Sequence, residues 1–494
     1  MADLRNDRPN VIVILTDDQG YWAMGCAGNE EIRTPNLDRL ARTGTRFENF
    51  FCASPVCSPA RASLLTGRIP SQHGVHDWLR AGNRAEDRDG PGRPIEYLAG
   101  QTGYSDILAA NGYVCGISGK WHLGDSLRPQ KGLSWWAVKA GGNYYDASIM
   151  RNGELYKEPH YLSDAITNNA LAFLEARAGG TSPFYLSVHY TAPHSPWSRK
   201  NHPSELWDDY HANCPFTSTP VVPMHPWQAH TAPTGTDEKK RRGILSGYFA
   251  AVTAMDANVG RILDWLETHD LRGDTLIFFT SDNGMNIGHH GIYGKGNGTF
   301  PMNLYDTSVK VPAIMSRPGH VPEGGVCDNL VSHYDFMPTV LEYVGLGPPP
   351  PGLPGRSFAP VLRGEADAGR EDVVVCDEYG PVRMVRTSDW KYVHRYPYGP
   401  HELYDLVNDP NEQRNLYGVE GQAERIVDLK SRLEAWFVEY VDPALDGTHE
   451  AVTGFGQLGL AGPAGHGAGA YATDVSVEGI DPRPLWAYPD FGSA

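Results

Sequence analysis

Residues 52 to 67 read Cys52-Ala-Ser-Pro-Val-Cys57-Ser-Pro-Ala-Arg61-Ala-Ser-Leu-Leu-Thr-Gly67. Ser58 and Pro59 suit the first turn of a helix that runs through Leu65 and stops at Gly67. Cys57 then stands at a helix N-terminus, where unpaired N–H groups and the helix dipole favour an anion, and Arg61 follows one turn later on the same face. Just upstream, residues 34 to 50 have a helical period, a stop at Gly44 and then a short strand. Further out, Val11-Ile-Val-Ile-Leu15 is a continuous, mostly β-branched apolar run closed by Thr16-Asp17-Asp18-Gln19-Gly20, the pattern of a buried parallel strand ending in a polar loop. Thr275-Leu-Ile-Phe-Phe-Thr280 repeats that pattern and ends in Ser281-Asp282-Asn283-Gly284. Ligands of open α/β sheets gather beyond such strand ends.

Bulk properties bound the function. With 494 residues, 40% hydrophobic and 20% charged, the chain predicts a large and a small domain rather than one core. A formal charge of -17 argues against nucleic acid as a partner, so an anionic substrate must meet a local basic cluster. Seven scattered cysteines (26, 52, 57, 115, 214, 327, 376) lack zinc spacing and read as reduced thiols. The first ten residues are polar, and a five-residue apolar run is too short for a leader core or a membrane span. The expectation is no membrane association and a cytoplasmic protein as written, periplasmic or secreted if a leader was removed.

Alternating strand and helix signals continue to about residue 370, followed by several short strands and one helix, an α+β pattern. The expected fold is α/β, a large mostly parallel mixed sheet flanked by helices plus a smaller α+β C-terminal domain with an antiparallel sheet. The expected units are 1–370 as the catalytic domain, 371–443 as the C-terminal subdomain, and 444–494 as an extended Gly/Ala-rich tail packed on the surface, with aromatic residues Trp486, Tyr488 and Phe491 near its end. Residues 197 to 240, rich in Pro, His and Trp, read as a long irregular insertion at the substrate entrance.

Chemistry-bearing residues fall on loops at strand ends. Asp17 with Asp18, taken alone, would cap the next helix; with Asp282 and Asn283 they form four hard oxygen donors suited to calcium, with magnesium as the alternative, and the absence of Cys and His from the set disfavours zinc. Gly119-Lys120-Trp-His122-Leu-Gly124 ends another strand, His194 sits between Pro193 and Pro196, and Lys295 closes a basic loop. Arg61, Lys120, His122, His194 and Lys295 would neutralise a multiply charged oxyanion. His76, Asp77, Trp78 and Arg80 are expected as a substrate wall, while Arg395, Tyr398 and His401 read first as a surface hairpin and second as substrate contacts.

The chain resembles the type I, formylglycine-dependent sulfatases of the alkaline-phosphatase-like superfamily. The signature Cys-x-Pro-x-Arg followed by Thr-Gly is matched by Cys57, Pro59, Arg61, Thr66 and Gly67, and the signature Gly-Tyr followed by Gly-Lys-x-His by Gly112, Tyr113, Gly119, Lys120 and His122. The resemblance covers residues 10 to about 440. It implies oxidation of Cys57 to Cα-formylglycine by a dedicated maturation enzyme, and hydrolysis of a sulfuric ester. In the implied mechanism the hydrated aldehyde attacks sulfur, its proton loss favoured by the cation, Arg61 and Lys120. The metal, Lys120, His194 and Lys295 hold the sulfuryl oxygens, His194 or Lys295 protonates the leaving alcohol, and His122 takes the last proton as sulfate leaves. A phosphonate monoester or phosphodiester hydrolase on the same scaffold is the alternative, and a silent binding protein with unmodified Cys57 a third reading. With 25 Tyr and 12 Trp, stacking on sugar rings points to a sulfated carbohydrate, small or oligomeric, with aryl sulfates as surrogates. Nothing in the sequence sets the oligomeric state.

Overall fold

The computed structural model describes residues 8–84, 93–367, 369–377, 381–465 and 468–473. Its strands are β1 Asn10–Asp17, β2 Thr45–Phe51, β3 Val114–Gly119, β4 Trp135–Gly141, β5 Ala147–Arg151, β6 Glu154–Glu158, β7 Phe184–Pro193, β8 Thr275–Ser281, β9 Asn286–Ile287, β10 Tyr293–Gly294, β11 Ala313–Ser316 and β12 Gly325–Ser332, followed by β13 Asp372–Asp377, β14 Val382–Thr387, β15 Trp390–Arg395 and β16 Glu402–Asp405. Ten of them form one sheet in the order β12-β2-β11-β8-β1-β7-β3-β4-β5-β6. Its centre is parallel, β1 pairing with both β7 and β8, and β3 with β7 and β4, while β11, β5 and β6 run antiparallel to their neighbours.

The uninterrupted apolar run of β1 follows from this position. Val11, Val13 and Leu15 join one core, containing helix Cys57–Thr66, and Ile12 and Ile14 join the other, containing helices Leu162–Glu175 and Glu238–Thr268. A strand covered on both faces has no solvated side on which to place polar residues. β8, β1, β7 and β3 lie side by side, so their carboxyl ends bring residues 281, 17, 193 and 119 to one edge.

β13 to β16 form a separate antiparallel sheet backed by helix Ala423–Tyr440 through Leu429, Leu433 and Phe437. Among the described residues, no helix is long and apolar enough to cross a membrane.

Two expectations differ. The segment 197–240 contains helix Ser204–Asn213, which carries the buried Tyr210 inward and is tied to the long helix by Arg242, whose Nε donates to His211 O at 2.6 Å and Nη2 to Cys214 O at 2.8 Å. Its dense Pro flanks hid ten residues of helix-compatible sequence. The chain beyond 443 does more than lie on the surface: Gln457 is fully buried, its Oε1 accepts from His76 N at 2.9 Å and its Nε2 donates to Gly74 O at 2.9 Å. Trp486, Tyr488 and Phe491 lie outside the described residues.

Candidate active site

Helix Cys57–Thr66 begins after an extended Val56 and ends at Gly67, whose φ of +68° is left-handed, so Gly is the residue that terminates it without strain. Cys57, at its first position, is 4% exposed. Asp17 is the last residue of β1, and Asp18 turns the chain with a left-handed φ of +62°. That unusual conformation for a non-glycine residue is held by Asp18 N donating to Asp282 Oδ1 at 3.2 Å, beyond β8. Carboxylate oxygens of Asp17, Asp18 and Asp282 thereby lie within 4.8 Å of one another, all buried.

Each carboxylate meets a cation from a different element of the chain. Arg61 reaches Asp282 Oδ2 with Nε and Nη2, both at 2.9 Å; Lys120 Nζ is 2.5 Å from Asp17 Oδ2; Lys295 Nζ is 2.6 Å from Asp18 Oδ1. Lys295 Nζ also donates to Cys57 Sγ at 2.7 Å. His194 Nε2 stands 3.7 Å from Asp18 Oδ2, with Nδ1 2.7 Å from Ser195 O, and Asp17, Cys57 and His194 also fall within one 4.8 Å cluster. The His194 side chain is 35% exposed against 14% for Lys120 and 8% for Lys295, so the cluster opens to solvent on the His194 side.

The donor set fits a hard divalent cation. Asn283 Nδ2 donates to Asp18 Oδ1 at 2.8 Å, yet its Oδ1, like Asp17 Oδ1, is buried with no hydrogen-bond partner among the described residues. Buried oxygens left bare in this way are costly unless something cationic meets them. Burial and the neighbouring Asp17 push Asp282 up to about 6 despite Arg61 and Lys295. Burial also raises Asp17, but Lys120, His194, Arg61 and Lys295 outweigh it and hold that carboxyl well below the ordinary range.

The same burial pushes the Cys57 thiol up to about 12, with Lys120 and Lys295 limiting the rise. Resting thiolate is therefore scarce, and a thiolate nucleophile is disfavoured. His122, another left-handed residue at φ +56°, has its Nδ1 buried without a partner and is kept neutral by burial and by the adjacent Lys120 and Arg61. Every member of the expected catalytic and metal sets, Asp17, Asp18, Cys57, Arg61, Lys120, His122, His194, Asp282, Asn283 and Lys295, thus converges on one edge of the sheet.

The expected substrate wall runs beside Cys57, Leu79 N donating to Ser58 Oγ at 3.1 Å, but its four residues have hydrogen-bond partners in the C-terminal segment. His76 and Asp77 are buried at 1% and 0% exposure, and Asp77 accepts from the backbone N–H of Trp78 and Gly456. Trp78 Nε1 donates to Gly454 O and Arg80 Nη1 to Phe455 O. These four residues grip the C-terminal segment, a partner more than 370 positions away that local sequence does not reveal. Arg395 is likewise buried, paired with Glu402 at 3.0 Å, while Tyr398 is 92% exposed.

Sequence reading missed His189 on β7. Its Nδ1 lies 3.0 Å from Lys120 O, a carbonyl to which Arg61 Nη1 also donates at 3.1 Å, and its own carbonyl accepts from Lys120 N at 2.8 Å. Facing a carbonyl, Nδ1 carries the ring proton. The available signal was a lone imidazole in a strand otherwise built of apolar and hydroxyl residues.

Comparison with known proteins agrees with this geometry. The family model described as Sulfatase matches residues 9–346, and one described as N-sulphoglucosamine sulphohydrolase, C-terminal, matches residues 288–439. The N-acetylglucosamine-6-O-sulfatase of Bacteroides thetaiotaomicron is 28% identical, over 88% of this chain and 87% of its own length. The choline-sulfatase of Rhizobium meliloti is 27% identical over 89% of both. A solved structure described as a complex with its substrate D-glucosamine-2-N,6-O-disulfate superposes with a TM-score of 0.73 at 25% identity, covering 90% of this chain and all of the other. The phosphonate monoester hydrolase of Agrobacterium radiobacter, at 20% identity, TM-score 0.63 and coverage of 88% and 96%, shares the fold. The chain belongs to the sulfatase family and is a sulfuric ester hydrolase.

Proposed function

We propose that the chain releases inorganic sulfate from a sulfated carbohydrate, using a formylglycine made from Cys57 by a maturation enzyme and one divalent cation held by Asp17, Asp18, Asp282 and Asn283. The observation that carries this reading is the placement of residue 57: at a helix start, 2.7 Å from Lys295 Nζ and in one cluster with Asp17 and His194, but with its thiol driven far from ionisation. When present, the cation supplies Lewis acidity and the modified residue an oxygen nucleophile. The remaining work falls to the chain's own groups. Arg61 and Lys120 orient Asp282 and Asp17. Lys295, its ammonium stabilised against burial chiefly by Asp18, donates to the atom at position 57 and to sulfuryl oxygens. His194, with Nδ1 engaged by Ser195 O, presents Nε2 on the open side, where a leaving alcohol must depart. His122, neutral and without an Nδ1 partner, is placed to accept a proton.

Support for a carbohydrate comes from the N-acetylglucosamine-6-O-sulfatase and from an ulvan-active sulfatase of Formosa agariphila, 29% identical over 83% of this chain and 77% of its own length. The test joins mass and turnover. The tryptic peptide Phe47 to Arg61 carries both Cys52 and Cys57; the expected species has an aldehyde at 57 and a thiol at 52, and Cys57→Ala abolishes sulfate release. An active preparation holding only thiol at 57 would falsify the proposal. Sulfated sugars, choline sulfate, a sterol sulfate and a phenyl phosphonate monoester form the substrate panel, and a kcat/KM highest on the phosphonate would favour the alternative hydrolase.

A further inference from the structure

Among the protein's own side chains, Asp17, Asp18 and Asp282 each face a cation, Lys120, Lys295 and Arg61. Lys139 is a cation outside these pairs. It lies near the end of β4, the strand beside β3, and its neighbour Val138 pairs with Gly119, the residue preceding Lys120. The β4–β5 register slips between Lys139 and Gly141, a bulge of the kind that re-aims side chains next to active sites. Immediately beyond, the Tyr144 hydroxyl donates to His194 O at 2.6 Å, which pins the β4–β5 connection to the exposed side of the cluster.

Lys139 is only partly accessible, and among the described residues its ammonium makes no hydrogen bond or ion pair. The charges it feels are Lys120 first and Asp17 second, and burial with the repulsion of Lys120 lowers its ammonium to about 8. Two residues on, the Arg84 guanidinium packs over Gly141, its Nη1 3.4 Å from the position a Cβ would take there. A half-buried ammonium with no carboxylate hydrogen-bonded to it has a donor to offer an incoming anion, and such a charge-assisted hydrogen bond is among the stronger ones.

We propose that Lys139 is a specificity residue, its ammonium receiving a second anionic group, carboxylate or sulfate, carried by the same sugar substrate whose sulfate ester is cleaved. The inference rests on the carbohydrate reading above. The sulfate ester that is cleaved is served by the groups around residue 57; a substrate with a second negative group at the β4 rim gains a charge-assisted hydrogen bond that a sugar without one does not make.

The experiment measures competitive inhibition of p-nitrophenyl sulfate turnover by sugar monosulfates, the disulfates of the same sugars and sulfated uronates, with the full-length enzyme, Lys139→Met and Lys139→Arg. The parent is expected to bind at least one doubly anionic sugar about tenfold more tightly than its monosulfate. Lys139→Met, which keeps the aliphatic stem, loses that preference, and Lys139→Arg, which keeps the charge, retains it. The disulfate and uronate arms show which anion is read. If sugars compete but a second charge adds nothing, or adds as much in Lys139→Met as in the parent, the role of Lys139 is refuted while the carbohydrate reading stands. If p-nitrophenyl sulfate is turned over and no sugar competes, the carbohydrate reading falls and the proposal with it.

Discussion

Replacing Gly119 by alanine should dismantle the site without touching a charged group. Gly119 ends β3 with φ +115°, and a Cβ built there would lie 1.9 Å from His189 O and 2.7 Å from the carbonyl carbon. Real Cβ atoms essentially never come within 3.0 Å of such a neighbour, so β3 and β7 must part by at least about 1 Å at this point. Parting them strains the Lys120 N–H bond to His189 O, now 2.8 Å, and carries Lys120 Nζ away from Asp17, now 2.5 Å. A displacement of about 1 Å in a catalytic constellation costs on the order of 100-fold in rate, or about 2.7 kcal/mol of transition-state stabilisation. The assay is kcat/KM on p-nitrophenyl sulfate, normalised to the fraction of chains modified at residue 57 by mass, because maturation and catalysis must be separated. Gly153→Ala is the control. Gly153 has φ +82° in the Asn152-Gly153 turn between β5 and β6, and a Cβ there meets nothing within 4 Å. It should cost about 1–2 kcal/mol of stability for the left-handed backbone and leave normalised activity unaltered. A Gly119→Ala enzyme within threefold of the parent would show that the close approach of β3 to β7 does not position Lys120.

Three further outcomes follow from the geometry. Calcium affinity, measured by titration calorimetry, should fall about tenfold between pH 7 and pH 5, since a proton competes at Asp282, whose carboxyl is pushed up to about 6 by burial and Asp17; an affinity flat across that range contradicts the ligand assignment, as does binding that survives Asp282→Ala. Lys391→Met should destabilise the protein by about 3–5 kcal/mol in urea at pH 7, because the fully buried ammonium bridges Asp306 at 2.6 Å and Glu412 at 2.5 Å and its loss leaves Glu412 with no cation and Asp306 with only the longer 3.4 Å pair to Arg386. The deficit should shrink toward pH 5, where those groups, raised without their cation, take up protons; a loss under 1 kcal/mol would show that this bridge between β15 and the catalytic domain matters little. His189→Phe should lower kcat about tenfold with KM within twofold, and His189→Asn, whose amide restores a donor toward Lys120 O, should recover most of it; a change confined to KM, or no recovery, argues against a positioning role.

Much of the site was legible because its signals are short-range. A β-branched run closed by Asp-Asp, a Pro-Ala-Arg helix start, and a Gly-Lys-x-His loop each state a local conformation through steric and capping rules that need no partner. The same rules located the separate C-terminal sheet and its helix. They did not reveal that His76, Asp77, Trp78 and Arg80 hydrogen-bond residues 454–457 of the C-terminal segment. They failed again in segment 197–240, where prolines on both sides outweighed a helix stabilised by packing on Glu238–Thr268.

By itself, then, the sequence determined which residue types stand at strand ends and helix starts, and through the two signatures the family. Tertiary structure alone decided the pairing: Lys120 with Asp17, Lys295 with Asp18 and residue 57, Arg61 with Asp282, His189 beneath Lys120, and Lys139 with no partner among the described residues. The reason lies in the sheet order. β8, β1, β7 and β3 are neighbours in space although they begin at residues 275, 10, 184 and 114, and which cation meets which carboxylate depends on a register that no local stretch encodes.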